Sequence, residues 1–147
     1  MKKSQKRLGN KGFSLVELIV VIAIMAVLVG VLAPTLIKNV EKSRKSKDEQ
    51  NLDTLRGAIV NALADEATYN ALVPTSGDVV VVTLDGASGA LTKDGKNAVS
   101  TEITDNLGST TVKMTSKSYN TLTLEFKVDA KGKVTGPYNG DSLIEFN

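Results

Sequence analysis

The chain of 147 residues contains no cysteine, no histidine and no tryptophan. Without cysteine, neither a disulfide bond nor a thiolate metal site can form. Without histidine, the side chain that most often acts as a general base or zinc ligand is missing. The fold must therefore be held by its hydrophobic core or by assembly with other chains.

Motifs of enzyme chemistry are also missing from the sequence. The stretch from Asp85-Gly86 to Gly89 lacks the spacing of a nucleotide-binding loop. Asp129, Asp141 and Glu145 could offer oxygen ligands to calcium, but they follow no calcium-loop spacing and are interpreted as surface acids. We therefore expect no catalytic residues, no metal site and no cofactor, and we expect that the protein is not an enzyme.

Positive charge is concentrated at the N-terminus. Five basic residues and no acidic residue precede Phe13, although the net charge of the whole chain is only +2. These residues are Lys2, Lys3, Lys6, Arg7 and Lys11. A nucleic-acid-binding protein usually carries its basic patch on the folded domain, so no direct nucleic-acid site is identifiable. A basic start before an apolar run is instead typical of an export or membrane segment.

Residues 13 to 37 form an apolar run in which Glu17 is the only ionisable side chain. As a helix this run would be about 37 Å long, which is enough to cross a hydrocarbon core of about 30 Å. The basic flank would stay in the cytoplasm and the C-terminal part would lie outside. A charged side chain within a membrane segment costs about 2.5 kcal/mol or more and usually has a function.

A basic start followed by an apolar run is compatible with three kinds of N-terminal segment. A cleaved secretory signal would need small residues after the apolar run, and the nearest candidate, Val31-Leu32-Ala33, is followed by Pro34. A plain single-pass anchor explains the length of the run but does not explain Glu17. A third interpretation accounts for both the acid and the basic start.

The stretch Lys11-Gly12-Phe13-Ser14-Leu15-Val16-Glu17 resembles the processing motif of type IV prepilins. The resemblance implies that a prepilin peptidase cleaves between Gly12 and Phe13 and methylates the new amino terminus at Phe13. It also implies that Glu17 pairs with the terminal amine of a neighbouring subunit during assembly. Pro34 lies where many pilins carry a helix proline, and a kink or local melting is expected from Gly30 to Pro34.

A type IV pilin of this kind is the structural subunit of a surface filament. The resemblance implies a membrane-inserted precursor, followed by an extracellular pilus that serves adhesion, motility or DNA uptake. The implied partners are other copies of the chain in a helical homopolymer, the prepilin peptidase, the pilus assembly machinery and minor pilins. Two alternatives remain: a type II secretion pseudopilin that forms a short piston, and a membrane-anchored binding domain that never polymerises.

The sequence after the apolar run predicts an α+β head. Leu52, Leu55, Ile59 and Leu63 recur at helical spacing, so one long helix is expected from Ser14 to about Ala67. A strand is predicted at residues 79–84, a short helix within 97–107 closed by a glycine, and a short strand at 111–114. Alternation at residues 122–128, a turn at 129–133 and a return strand predict an antiparallel sheet that packs on the helix.

The predicted organisation has five segments. They are a cleaved leader (1–12), a membrane or filament-core half-helix (13–37), an amphipathic half-helix (38–67), a connecting region with a strand and turns (68–108), and an antiparallel sheet (109–147). Many type IV pilins close their C-terminal region with a disulfide, and this chain cannot do so because it has no cysteine. The absence is compatible with an exported protein of a single-membrane bacterium.

Overall fold

The first element, α1, is a single helix from Leu15 to Ala62 that contains Pro34. The structure is a computed structural model that describes residues 12–94, 97–98 and 101–146. The chain divides into a first unit that ends at Asn39 and a second unit that begins at Val40. The helix α1 continues from the first unit into the second, and its 48 residues confirm the predicted long helix.

The helix ends five residues earlier than the sequence predicts. A tight turn follows Ala62, in which the amide of Ala64 donates to the carbonyl of Asn61. Asp65 then caps a second helix, α2, at Glu66–Leu72, and its carboxylate accepts the amide of Thr68 at 2.8 Å. This hydrogen bond lowers the pKa of Asp65 below its usual value. The prediction of one helix to Ala67 was therefore wrong, because Asp65 prefers the N-cap position to a helix interior.

The second unit contains a six-stranded antiparallel sheet, in the order β3-β2-β1-β4-β5-β6. Its strands are β1 at Val80–Asp85, β2 at Leu91–Lys93, β3 at Asn97–Ala98, β4 at Thr123–Val128, β5 at Val134–Asn139 and β6 at Ser142–Leu143. The α3 helix at Thr101–Leu107 lies in the connection between β3 and β4. The predicted α+β architecture, a long helix with a small antiparallel sheet, is confirmed.

The core of the second unit lies between the sheet and the amphipathic half of α1. Val82 of β1 pairs with Phe126 of β4, and both side chains are fully buried. The helix contributes Leu52, Leu55 and Ile59, which are fully buried in the same cluster. The apolar residues of β1, β4 and α1 thus occupy the faces that their periodicity predicts.

The expected strand at residues 111–114 does not form. Thr111 makes an isolated bridge to Ala90, and the amides of Val112 and Met114 donate to the carbonyls of Gly89 and Gly86. The segment is therefore bonded to a turn and not to a neighbouring strand. Gly89 permits this close approach, because a Cβ atom there would lie 2.7 Å from the backbone nitrogen of Lys113. Gly86 likewise lies close to the next turn, where its Cβ would lie 2.2 Å from the carbonyl oxygen of Tyr119.

Candidate functional site

Glu17 lies in the first turn of α1 and finds a partner within its own chain. The backbone amide of Ser14 donates to Oε2 of Glu17 at 2.8 Å, and the carbonyl of Ser14 accepts the amide of Leu18 at 3.2 Å. Ser14 therefore occupies the N-cap position and Glu17 the third helical position, as in a capping box. The prepilin resemblance assigns no role to Ser14, although the Ser-x-x-Glu spacing by itself predicts this cap.

Gly12 and Phe13 precede the helix and are open to solvent. Phe13 is 89% exposed, and among the described residues beyond its direct neighbours no atom lies within 4 Å of the position that a Cβ of Gly12 would take. A peptidase could therefore reach the peptide bond between them without unwinding α1. Cleavage at this bond and methylation of Phe13 stay predictions.

The apolar half of α1 is covered by nothing in the described chain. All residues from 12 to 40 are exposed except Ala33, which is intermediate. The helix contains a window with mean hydropathy 3.1 that is long and apolar enough to cross a membrane, and none of that window is buried. The described residues include one such helix. The length and composition of this helix, together with the motif at its start, fit a membrane-anchored segment.

Gly30 and Pro34 both lie inside α1 and do not interrupt it. The residues from 30 to 34 are all helical, and the space around Gly30 is open. A proline in a helix interior removes one backbone hydrogen bond and crowds the carbonyl four residues earlier, here that of Gly30. The kink or local melting predicted from Gly30 to Pro34 stays a prediction.

A second group of polar side chains joins the amphipathic half of α1 to the loop at residues 115–119. Asp48 is fully buried and accepts the amides of Thr115 at 3.0 Å and Ser116 at 2.7 Å. The hydroxyl of Thr115 also donates to Asp48, at 3.2 Å. Two helical turns before Asp48, the side chain of Glu41 accepts a hydrogen bond from the backbone amide of Lys117. We refer to these contacts, together with that of Glu49 described next, as the carboxylate clamp.

Glu49 completes the carboxylate clamp through a tyrosine. The hydroxyl of Tyr119 donates to Oε1 of Glu49 at 3.0 Å, and Lys45 lies 3.5 Å from the same oxygen. Burial of the phenol, together with this hydrogen bond, raises the pKa of Tyr119 to about 12. The sequence predicts residues 38–67 only as an amphipathic half-helix and indicates no role for Asp48. Asp48 was nevertheless detectable, since it lies four residues before Leu52 in the register of the buried stripe.

The three acids that were considered for calcium do not form a site in the described residues. No group of three or more potential metal-ligating side chains occurs in the part of the chain that the structure describes. Asp129 instead organises the β4–β5 turn, where Oδ1 accepts the amides of Lys131 and Lys133 at 2.9 Å. The hydrogen bonds from Lys133 and Lys131 lower the pKa of Asp129 below its usual value.

Comparison with known proteins gives one match. Residues 7–33 match the family described as the prokaryotic N-terminal methylation motif. No curated protein and no solved structure matches the chain. The motif marks structural proteins of the pilin type, which are not enzymes. A leader of this class implies processing by a prepilin peptidase and assembly by membrane machinery, and with the exposed apolar helix it fits a membrane-anchored precursor. The N-terminal segment of the chain is therefore similar to that of leader-bearing prepilins and type IV pilin-like proteins.

Proposed function

We propose that the protein is the structural subunit of a type IV pilus. In this proposal the precursor is cleaved after Gly12 and methylated at Phe13. The mature subunit then leaves the membrane and polymerises through its N-terminal helix into an extracellular filament for adhesion, motility or DNA uptake. Its partners are other copies of itself, the prepilin peptidase, the assembly machinery and minor pilins.

The observation that carries the proposal is the uncovered apolar surface of α1. Seventeen large apolar side chains between Phe13 and Ile37 are each at least 49% exposed. Fully burying an exposed side chain of this kind is worth about 1.5–3 kcal/mol. Because these side chains are already partly covered by their own helix, covering the rest of their surface would release roughly 15–30 kcal/mol. Lipid provides the cover for the precursor, and identical helices of neighbouring subunits provide it in the filament. A helix that is apolar on all sides suits both environments.

Glu17 gives the assembly its register in this proposal. In the precursor its carboxylate already accepts the amide of Ser14, so the charge is not left without a partner. Cleavage creates a positively charged amine at Phe13, which is a stronger partner than a neutral amide. A neighbouring subunit that presents its amine to Glu17 would gain a charge-assisted contact within a low-dielectric bundle. A shift in register would leave both charges buried without partners, which costs several kcal/mol.

The experiment that tests the proposal compares Glu17→Ala with the parent chain in the cells that produce it. We expect mass spectrometry to find a methylated Phe13 at the amino terminus of both proteins. We also expect long surface fibres that contain the chain to be released by shearing from parent cells and to be lost in Glu17→Ala. Leu18→Ala serves as the control, because it removes apolar surface without removing the charge.

Three outcomes would contradict the proposal in different ways. An unprocessed Phe13 together with unaffected fibres in Glu17→Ala would refute the pilin assignment. Processing at Phe13 without shearable fibres, in a cell that exports folded enzymes, would favour the type II secretion pseudopilin. Fibre loss that is equal in Glu17→Ala and Leu18→Ala would refute the specific role of the carboxylate.

A further inference from the structure

The helix segment from Glu41 to Glu49 presents more positive charge to its surroundings than its net composition of +1 suggests. This segment contains four basic residues, Lys42, Arg44, Lys45 and Lys47, beside three acids, Glu41, Asp48 and Glu49. The acids belong to the carboxylate clamp. Asp48 and Glu49 are 0% and 8% exposed, and Glu41 accepts the amide of Lys117.

The basic side chains remain on the outside of the helix. Lys42, Arg44 and Lys47 are exposed, whereas Lys45 is intermediate. Arg44 lies 4.0 Å from Glu41 and Lys45 lies 3.5 Å from Glu49, but those carboxylates also accept hydrogen bonds from the loop at residues 117–119. Within the described residues, neither Lys42 nor Lys47 has an ion-pair partner.

The positions of these cations suit a membrane surface. Lys42 and Lys47 are five residues apart and therefore point about 140° apart around the helix, so the charge surrounds the helix and does not form a single stripe. They follow the end of the apolar run at Ile37 by only five to ten residues. Basic residues this close to a membrane segment are attracted by anionic lipid headgroups.

We propose that Lys42, Arg44, Lys45 and Lys47 form a basic collar that binds anionic lipid headgroups on the outer face of the membrane. The carboxylate clamp makes this binding possible, because Glu41, Asp48 and Glu49 are bonded to the loop at residues 115–119. Their negative charges therefore compete less with lipid headgroups for the neighbouring basic side chains. The collar would hold the precursor at a fixed depth until the filament takes it up. The inference rests on the membrane-anchored precursor of the proposed function.

The test uses the absence of cysteine, which allows one site to be labelled without interference. Ser46 is exposed and lies between Lys42 and Lys47 in sequence. The full-length Ser46→Cys chain carries a nitroxide label and is reconstituted in two kinds of vesicle, one of phosphatidylcholine and one of phosphatidylcholine mixed with phosphatidylglycerol. A neutral nickel chelate dissolved in the water phase reaches the label only where lipid does not cover it. Its effect on the label therefore gives the ratio of chains whose collar is covered by lipid to chains whose collar is exposed to water.

We expect this ratio to be higher in the anionic vesicles and to fall with added salt. Lys42→Gln with Lys47→Gln should lower it by about 25-fold, or about fivefold for each lysine. The matched control is Lys131→Gln with Lys133→Gln, which removes the same charge from the exposed β4–β5 turn and should leave the ratio unchanged. Resistance to alkaline extraction reports membrane integration of every variant separately.

Each remaining outcome overturns the proposal. A label that is equally exposed to the chelate in both kinds of vesicle shows that anionic lipid does not bind the collar. A label shielded equally in both, with no effect of the lysine substitutions, shows that a second copy or the head covers the segment instead. Failure of the parent chain to integrate in either vesicle refutes the membrane-anchored precursor itself, and the collar with it.

Discussion

Asp48 offers the sharpest test of how the head is attached to α1. Replacing it with alanine removes the acceptor for Ser116 and for both donors of Thr115. Ser116 is fully buried, so its amide would lose a charge-assisted hydrogen bond without access to water, at a cost of about 1.5–3 kcal/mol. Thr115 is exposed and its donors can bind water, so their loss adds only about 0.5–1 kcal/mol.

The expected destabilisation of Asp48→Ala is therefore about 2–4 kcal/mol. For a domain of this size it would lower the melting temperature by roughly 10–20 °C. Asp48→Asn keeps one carbonyl oxygen as an acceptor and should lose about half as much. The measurement is thermal unfolding of the full-length chain in detergent, followed by near-ultraviolet circular dichroism of the tyrosines.

Asp53 provides the control, because it is an exposed acid on the same helix. Asp53→Ala should change the melting temperature by no more than a few degrees. If Asp48→Ala has the same melting temperature as Asp53→Ala, the carboxylate clamp does not stabilise the head and the reasoning fails. If Asp48→Asn were as unstable as Asp48→Ala, the remaining oxygen would not be used as an acceptor.

Three further predictions concern the head. Gly86→Ala should destabilise the head by at least about 2 kcal/mol, since the new Cβ would collide with a backbone oxygen. Gly57→Ala, at an open position in a helix, should stabilise it by about 0.5–1 kcal/mol. Urea titrations of the two variants measure both changes in the free energy of unfolding. Phe126→Ala should cost about 3–5 kcal/mol in the same assay. The folded state binds the phenolic proton of Tyr119 more tightly than the unfolded state, so stability should fall as pH rises from 10 to 12. In Tyr119→Phe that part of the pH dependence should be absent, and an unchanged profile would contradict it.

Much of the fold follows from local patterns in the sequence. The apolar run is recognised from its composition, whereas the stripe of Leu52, Leu55 and Ile59 and the alternation through β4 each depend on the period of one element. Burial in the structure agrees with that period. Such patterns predict an element and its inward face without reference to distant residues.

The parts that the sequence did not predict depend on contacts between distant residues. Residues 111–114 have strand-like composition, but their amides bond to the turn at Gly86 and Gly89. The role of Asp48 depends on amides that lie 67 and 68 residues further along the chain. At the N-terminus the motif residues were recognised from the sequence, whereas the capping contact of Ser14 needed only local spacing and was overlooked.

The carboxylate clamp also determines the order in which the head can fold when the residues after the apolar run cross a membrane in sequence order. Asp48 would emerge early, but its donors at residues 115–117 would follow only after most of the head had emerged. Val82 of β1 must likewise wait for Phe126 of β4. Contacts between such distant residues form late and slowly. The amphipathic half of α1 would therefore stay uncovered during most of translocation, and a chaperone that shields it in that interval would increase the yield of folded heads.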